Sequence, residues 1–588
     1  MYSPYKPTKW RDGNEYGADS FNNFEAGIQN LESYMKYREL QTKNLASAMK
    51  KMRTGKDFSI AIHGDSIMYG FSTMNDIRRT VNKQKGDNMP SDAAKADTTE
   101  NLTDGLKYLS GSDITWGNLT QLRTEVQPPH TFMDVMNLLY GDNAKVTYYD
   151  KVMTADCYRT NYYRFNPSGA DFVINNLGTN DALASFLPTD YVGNTDQFIH
   201  WVTKWIEREL DNGSALIIVS PLVATQVVTY DTDGRVSLDV YRNILKDIAN
   251  LYNIPFIDGQ EMVTVDGTTR IDFCHYTCAG NSLIGKRMAA PFVSADMNYP
   301  RIIANDDYIG CSAQVDSINV RGNAVLDYSD KSPNPHSLLD SADLYGDKPN
   351  LVNKGMCVYV DYSLDESLHR ICDQYARQNC GKAEGDEGYE DAYQAKYNER
   401  LEFLKTKHQG SGYVTWSFYC DKENTVVVPA LCLEDPTNSE VLMELDFATL
   451  VPSTAGNFLK EMSLDDLKAY ANENDIVPSD DDTVETLSEK VRLVKFNSAE
   501  DVQQKPSNIF NFTGEDTLNW DYDVPMITTI GKDDVSEAGY YGMNQLAAKK
   551  KAIIITTKGW HTISLKANSG KFMAFGLNFL PYKEYKKL

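Results

Sequence analysis

Between residue 57 and about residue 300, short apolar runs alternate with amphipathic stretches, and this alternation limits the fold more than any other feature. The runs read "FSIAIHG" from Phe58, "KVTYYDKVM" from Lys145, "ADFVINNLG" from Ala170, "SALIIVSPL" from Ser214 and "IPFIDG" from Ile254. Between and after them lie "TFMDVMNLLYG", "NTDQFIHWVTKWIEREL", "SLDVYRNILKDIANLYN" and "SLIGKRMAAPFV", whose apolar residues recur every three or four positions. An unbroken run such as Ala215–Val219 suits a strand covered on both faces. Strands separated by helices cannot pair as hairpins, so the pattern predicts a parallel sheet with helices on both sides, a three-layer α/β/α domain.

That domain cannot be the whole chain. A single core stops growing at roughly 250–300 residues, and the sequence has 588. We expect three parts. Residues 1–54 form an N-terminal arm and helix, with Phe21, Phe24, Ile28, Leu31 and Met35 in steps of three and four. This helix reads as a connector or an oligomerisation element. Residues 55–300 form the α/β domain, with a polar insertion at about 74–129 that would serve as a wall or lid. Residues 301–588 are rich in short alternating segments such as "GYVTWSFYC" and "KFMAFGLNFLPY", which predicts a β-sandwich or jelly-roll-like region. A polar stretch from Gly381 to His408 interrupts it, as does a helical insert at about 462–494. That insert resembles small two-helix modules of the SAP type, but it is acidic where those are basic, and it reads as a spacer or docking unit.

A net charge of −24 repels phosphate backbones and anionic lipids, which argues against nucleic-acid or membrane-surface binding. No run of 18 apolar residues exists, so no membrane insertion is expected, and the opening "MYSPYKPTKWRDG" lacks the apolar stretch of a secretory signal. Nine scattered cysteines do not suggest a disulfide framework, and synthesis in a reducing cytoplasm is expected.

Three stretches at predicted strand ends carry chemistry. "HGDSI" puts Ser66 just beyond the first strand, in a corner of small residues. "NNLGTNDA" puts Asn180 beyond a second, where a side-chain amide can donate to a developing oxyanion or merely cap a turn. "RIDFCHYTCAGNSLIGKRMA" holds Asp272 and His275 three apart, so that the carboxylate can orient the imidazole, or cap the helix that follows. His63, beside the serine corner, reads as structural. Cys274, His275 and Cys278 are a poor zinc signal without a second cysteine pair.

In these blocks the chain from about Asp57 to Val293 resembles the SGNH, or GDSL-type, hydrolases. The resemblance implies that Ser66 is the nucleophile, His275 the general base and then general acid, and Asp272 the group that orients it. It implies an oxyanion hole built from the Ser66 backbone N–H, the Asn180 side chain and a third backbone N–H. The family takes that third donor from a glycine; the matching position here is Ala155, followed by Asp156. No metal or other cofactor is implied.

Members of the family cleave lipids, thioesters and sugar O-acetyl groups, so the rest of the chain must discriminate. The stretch "TKWRDGNEYGADSFNNFEAGIQN", through Trp10, Gly13, Ala18, Glu25, Gly27 and Ile28, resembles the opening of many phage tail fibres and tailspikes. That resemblance implies virion attachment, tail or baseplate partners and a homotrimer, with synthesis in the host cytoplasm. The expectation is a tail protein that removes O-acetyl groups from capsular or O-antigen polysaccharide. A carbohydrate esterase, lipase or thioesterase unrelated to phage stays open. So does a receptor-binding protein that keeps the fold and lacks the activity.

Overall fold

The computed structural model describes residues 18–70, 126–149, 157–183, 194–222, 238–263, 275–276, 278–294, 297, 301–302, 309–312, 318–321, 324–327, 357–361, 365–407, 412–421, 423–433, 438–473, 475–495, 509–513, 526–527 and 552–581. The chain divides into two compact units, Met1–Met288 with Val451–Val502, and Ala289–Leu450 with Gln503–Leu588.

The first unit is built on a five-stranded sheet. Its strands are β1 (Phe58–Gly64), β2 (Ala144–Tyr149), β3 (Phe172–Asn176), β4 (Ala215–Val219) and β5 (Phe256–Ile257), in the order β2-β1-β3-β4-β5. Every pairing is parallel, in registers that place Ile60 beside Phe172, Phe172 beside Ala215 and Ile218 beside Phe256. The helices are α1 (Ala18–Arg53), α2 (Pro128–Tyr140), α3 (Tyr158–Arg164), α4 (Thr179–Leu183), α5 (Thr195–Asp211), α6 (Leu238–Tyr252) and α7 (Cys278–Ala289).

Alternate strand residues point to opposite faces, and both faces are covered. Ala61, Val173, Leu216 and Ile218 share one core with Tyr37 of α1, Tyr158 of α3, Trp205 of α5 and Tyr241 of α6. Phe58 points the other way, edge-on to Tyr140 of α2 with ring centres 5.3 Å apart. Each fully buried large apolar side chain contributes roughly 1.5–3 kcal/mol, so the unbroken apolar strands and the 3.6-residue helices specify the layers directly.

The second half of α1 is an integral part of this unit. Tyr37, Gln41, Asn44, Ala48 and Met52 form its buried stripe. The two-residue β5 pairs β4 only at Ile218 and Val219, which leaves Leu216 facing α1. The Gln41 amide takes the place of a neighbouring strand there. Its Nε2 donates to Leu216 O at 2.9 Å, and its Oε1 accepts from Leu216 N–H at 2.9 Å. Leaving either backbone group unpaired would cost roughly 1–3 kcal/mol. Asn44 Nδ2 likewise donates to Leu210 O at 3.1 Å and Ser214 O at 2.9 Å.

The helical insert is α10 (Leu464–Glu473) and α11 (Val484–Lys495), around a small core of Leu459, Leu467, Tyr470, Ala471, Leu487 and Val491. Its place in the sequence groups it with the C-terminal region; in space it packs with the first unit. The Ser453 N–H donates to an Asp134 carboxylate oxygen on α2 at 2.7 Å, and Arg492 Nη1 donates to Pro452 O at 3.0 Å.

The second unit holds two largely antiparallel sheets. Its strands are β6 (Arg301–Ile302), β7 (Ile309–Ser312), β8 (Ile318–Arg321), β9 (Ala324–Asp327), β10 (Cys357–Asp361), β11 (Tyr413–Cys420), β12 (Thr425–Leu433), β13 (Glu440–Leu445), β14 (Ile509–Phe512), β15 (Met526–Ile527), β16 (Ile553–Ile555), β17 (Gly559–Ser569) and β18 (Lys571–Pro581). One sheet runs β15-β12-β18-β10-β9, with β16 on β12 and β7 on β18; the other runs β14-β13-β17-β11-β6, with β8 on β11. Residues of both, among them Trp416, Met443, Ile563, Val427 and Phe579, share one core, as a sandwich requires. The interruption at Gly381–His408 is largely helix: α9 (Tyr389–Lys407) lies against α8 (Asp365–Asn379). Polar tyrosine contacts join the pair, with Tyr393 OH donating to Asp373 at 2.7 Å and Tyr375 OH to Glu399 at 3.0 Å.

Candidate active site

In an open α/β sheet, ligands bind beyond the carboxyl ends of the strands, where the strand order reverses. Here that point lies between β1 and β3, since β2 pairs with β1 on its other side. Register brings Gly64 level with Asn176 at their two ends. The chain turns sharply after Gly64. A Cβ on that residue would fall 2.3 Å from Met68 Cγ, so the return needs glycine. Asp65 then shapes the corner, its Oδ1 accepting the Ile67 N–H at 2.9 Å and its carbonyl the Tyr69 N–H at 3.0 Å. Asp65, Ile67, Met68 and Tyr69 are buried, and Ser66 between them is half-buried.

Ser66 Oγ lies 2.9 Å from Nε2 of His275. These residues are 209 positions apart in the chain, and no local preference could join them. With Nδ1 carrying the ring proton, the hydroxyl donates to Nε2, the arrangement from which an imidazole can take a serine proton. His275 is buried, followed by buried Tyr276 and then α7. Asp272 and Ala155 lie outside the described residues.

The end of β3 is fixed by its own side chains. Asn175 Oδ1 accepts the Leu177 N–H at 3.0 Å, and Asn176 Nδ2 donates to Ser220 O at 3.0 Å beyond the end of β4. Gly178 follows at φ 120°, a left-handed value, and a Cβ there would lie 2.9 Å from Pro221 Cγ. The chain then enters α4, with Asn180 half-buried in its first turn. Next to it the buried Asp181 accepts the Tyr158 N–H at 3.3 Å through Oδ1, which ties the start of α3 to the start of α4.

His63 is structural, as its position suggested. It is fully buried, its Nδ1 is 3.4 Å from Asn161 Nδ2, and it packs edge-on to Phe165 and Trp205. Burial, and secondarily the Arg208 charge, lowers its pKa to about 3. Past the ends of β4 and β5, Ser220 Oγ accepts the Gly259 N–H at 2.8 Å, and Arg242 Nε bonds both Asp258 oxygens at 2.8 and 3.0 Å. Sequence reasoning missed Asp65, Asn176 and Asp181 as site-shaping residues. Each stands inside or beside a motif, but each bonds backbone, and nothing in a side chain's identity names a backbone partner. Among the described residues, no three of His, Cys, Asp and Glu are grouped as a metal ion would need.

No family model and no curated protein matches the chain. Among solved structures it is similar to the tail fibre protein gp63.1 of an E. coli phage, at 10% identity over 91% of this chain and 48% of that one, with a TM-score of 0.41. The match thus spans about half the length of that fibre. It is also similar to the acetyl xylan esterase AlAXEase, at 14% identity over 39% of this chain and 97% of that one, with a TM-score of 0.26. A catalytic variant of the acetylxylan esterase Axe2 from Geobacillus stearothermophilus matches at 13% identity over 40% of this chain and 93% of that one, with a TM-score of 0.27.

Proposed function

We propose that the protein is a serine esterase of a phage tail that removes O-acetyl groups from host surface polysaccharide. The observation that carries the chemistry is the 2.9 Å approach of Ser66 Oγ to His275 Nε2 at the switch point of a parallel sheet. In this reading His275 takes the Ser66 proton as the oxygen attacks the ester carbonyl. The tetrahedral oxyanion is met by the Ser66 N–H, the Asn180 amide and a third N–H, for which Ala155 is the candidate. A single side-chain donor of this kind is worth roughly 3–4 kcal/mol. As the C–O bond breaks, the protonated imidazole gives its proton to the departing sugar oxygen, which leaves as a hydroxyl. Water, deprotonated by the same ring, releases acetate from the acyl-enzyme and restores the serine. Asp272 is assigned the role of holding His275 in the tautomer that accepts at Nε2.

The polysaccharide substrate and the virion location rest on the arm residues Trp10, Gly13, Ala18, Glu25, Gly27 and Ile28 and on the β-rich character of residues 301–588. The arm is assigned to virion attachment through tail or baseplate proteins, and the chain to a homotrimer.

Acetate release is the test. Purified protein should liberate acetate from an O-acetylated capsular polysaccharide faster than fatty acid from long-chain esters. Ser66→Ala should lose that activity by a factor on the order of 10³ or more while melting at the parent temperature. Preference for long acyl chains would remove the deacetylase reading. Parent-level hydrolysis by Ser66→Ala would remove the serine mechanism.

A further inference from the structure

His275 can serve as a base only if the short segment that carries it stays within reach of Ser66, and that segment is not part of a strand of the parallel sheet. One side chain holds it from behind. Asn281, buried in α7 six residues after His275, donates through Nδ2 to the carbonyl of Val126 at 2.9 Å and, at the edge of bonding distance, to the carbonyl of Tyr276 at 3.5 Å. Tyr276 is the residue next to the histidine. Val126 is two residues before the start of α2 and 155 positions from Asn281 in the chain. The amide therefore clips the histidine segment to the entry of a packed helix on the same unit.

An apolar cover closes over the clip. Val126, Val451 and Ala455 are buried together with Cys278 packed against them, three residues after His275. Val451 and Ala455 belong to the returning segment, which the Ser453 N–H to Asp134 bond pins to α2. Asn281 is itself buried, so its bond to the Val126 carbonyl is made away from water, where such a bond is electrostatically stronger.

We propose that Asn281 is a positioning residue for His275, holding the imidazole at the distance from which it deprotonates Ser66. The proposal rests on the serine mechanism above. It adds that the geometry of that pair is set by a side chain six residues past the histidine, to which the family resemblance gives no role. A misplacement of about 1 Å can cost on the order of 10²-fold in rate, whereas an ordinary buried hydrogen bond affects only how much protein is folded.

Asn281→Leu keeps the size and shape of the side chain and removes the donor. On p-nitrophenyl acetate, with rates normalised to folded protein, kcat should fall ~10–100-fold while KM stays within about twofold, because the loss is confined to the proton-transfer step. Should the leucine prevent folding, Asn281→Ala is read by the same criterion. A folded variant with the parent's kcat and a lowered melting temperature overturns the proposal and leaves Asn281 as scaffold. Ser66→Ala and His275→Ala are run alongside. If they retain parent activity, the serine mechanism itself has failed. If they are inactive while the Asn281 variant is as fast as the parent, only the positioning role has failed.

Discussion

His63 stands two residues before the turn that presents Ser66, yet its work is to fill the core, and its burial has a measurable consequence. In the unfolded chain the ring takes up a proton near its ordinary 6.5, whereas in the folded protein it does so only near about 3. Between those values the unfolded state holds more protons. Stability is therefore complete above pH 6.5, falls as pH drops, and stops falling on this account near pH 3, with a slope of roughly 1.4 kcal/mol per pH unit. Denaturant melts from about pH 7 to about pH 4 should show that slope in the parent and a slope smaller by about one proton in His63→Gln. Equal slopes would contradict the neutral, buried histidine.

At this scale the sequence is uneven. Ser66 and His275 are legible because their motifs announce them, and the structure brings them together. Asp65, Asn176, Asp181 and Asn281 are not, because their partners are backbone groups: Ile67 N–H, Ser220 O, Tyr158 N–H and Val126 O. Asparagine and aspartate occur in any turn, and only the folded path says which carbonyl or amide they meet.

Among the elements, α1 does two things along its length. From Tyr37 onward its buried stripe belongs to the α/β core. Before that, Leu31 and Met35 are 58% and 57% exposed in the single chain. They continue the alternating three- and four-residue steps of Phe21, Phe24 and Ile28, the spacing of a coiled-coil seam. The proposed trimer would bury them. Light scattering should then give three times the chain mass of 66.2 kDa for the parent and a single chain mass for Leu31→Glu/Met35→Glu, with esterase activity kept. A parent already at one chain mass would contradict the trimer.

Strands and helices with strong apolar periodicity, such as Ala215–Val219 and Thr195–Asp211, are readable from sequence for the reason they form: their pattern is their packing. Helix α9 escaped because its contacts with α8 run in part through tyrosine hydroxyls and carboxylates, as between Tyr393 and Asp373 and between Tyr375 and Glu399.

Over the whole molecule, the change from parallel to antiparallel sheet near residue 300 is visible in the sequence, because turn spacing and alternation change with it. The return of Val451–Val502 to the first unit is not, since it depends on contacts such as Asp134 with Ser453, 319 residues apart. Among the described residues no helix is long and apolar enough to cross a membrane. The proposed chemistry rests on a serine and a histidine of the first unit, delivered by opposite ends of its sheet's chain path. Covalent capture tests that pairing most directly. The full chain is treated with a fluorophosphonate, digested and mapped by mass spectrometry. The account predicts a single phosphonyl adduct, on Ser66, and a rate of capture that collapses in His275→Ala. An adduct on another residue, or capture of Ser66 at the same rate without the imidazole, would contradict it.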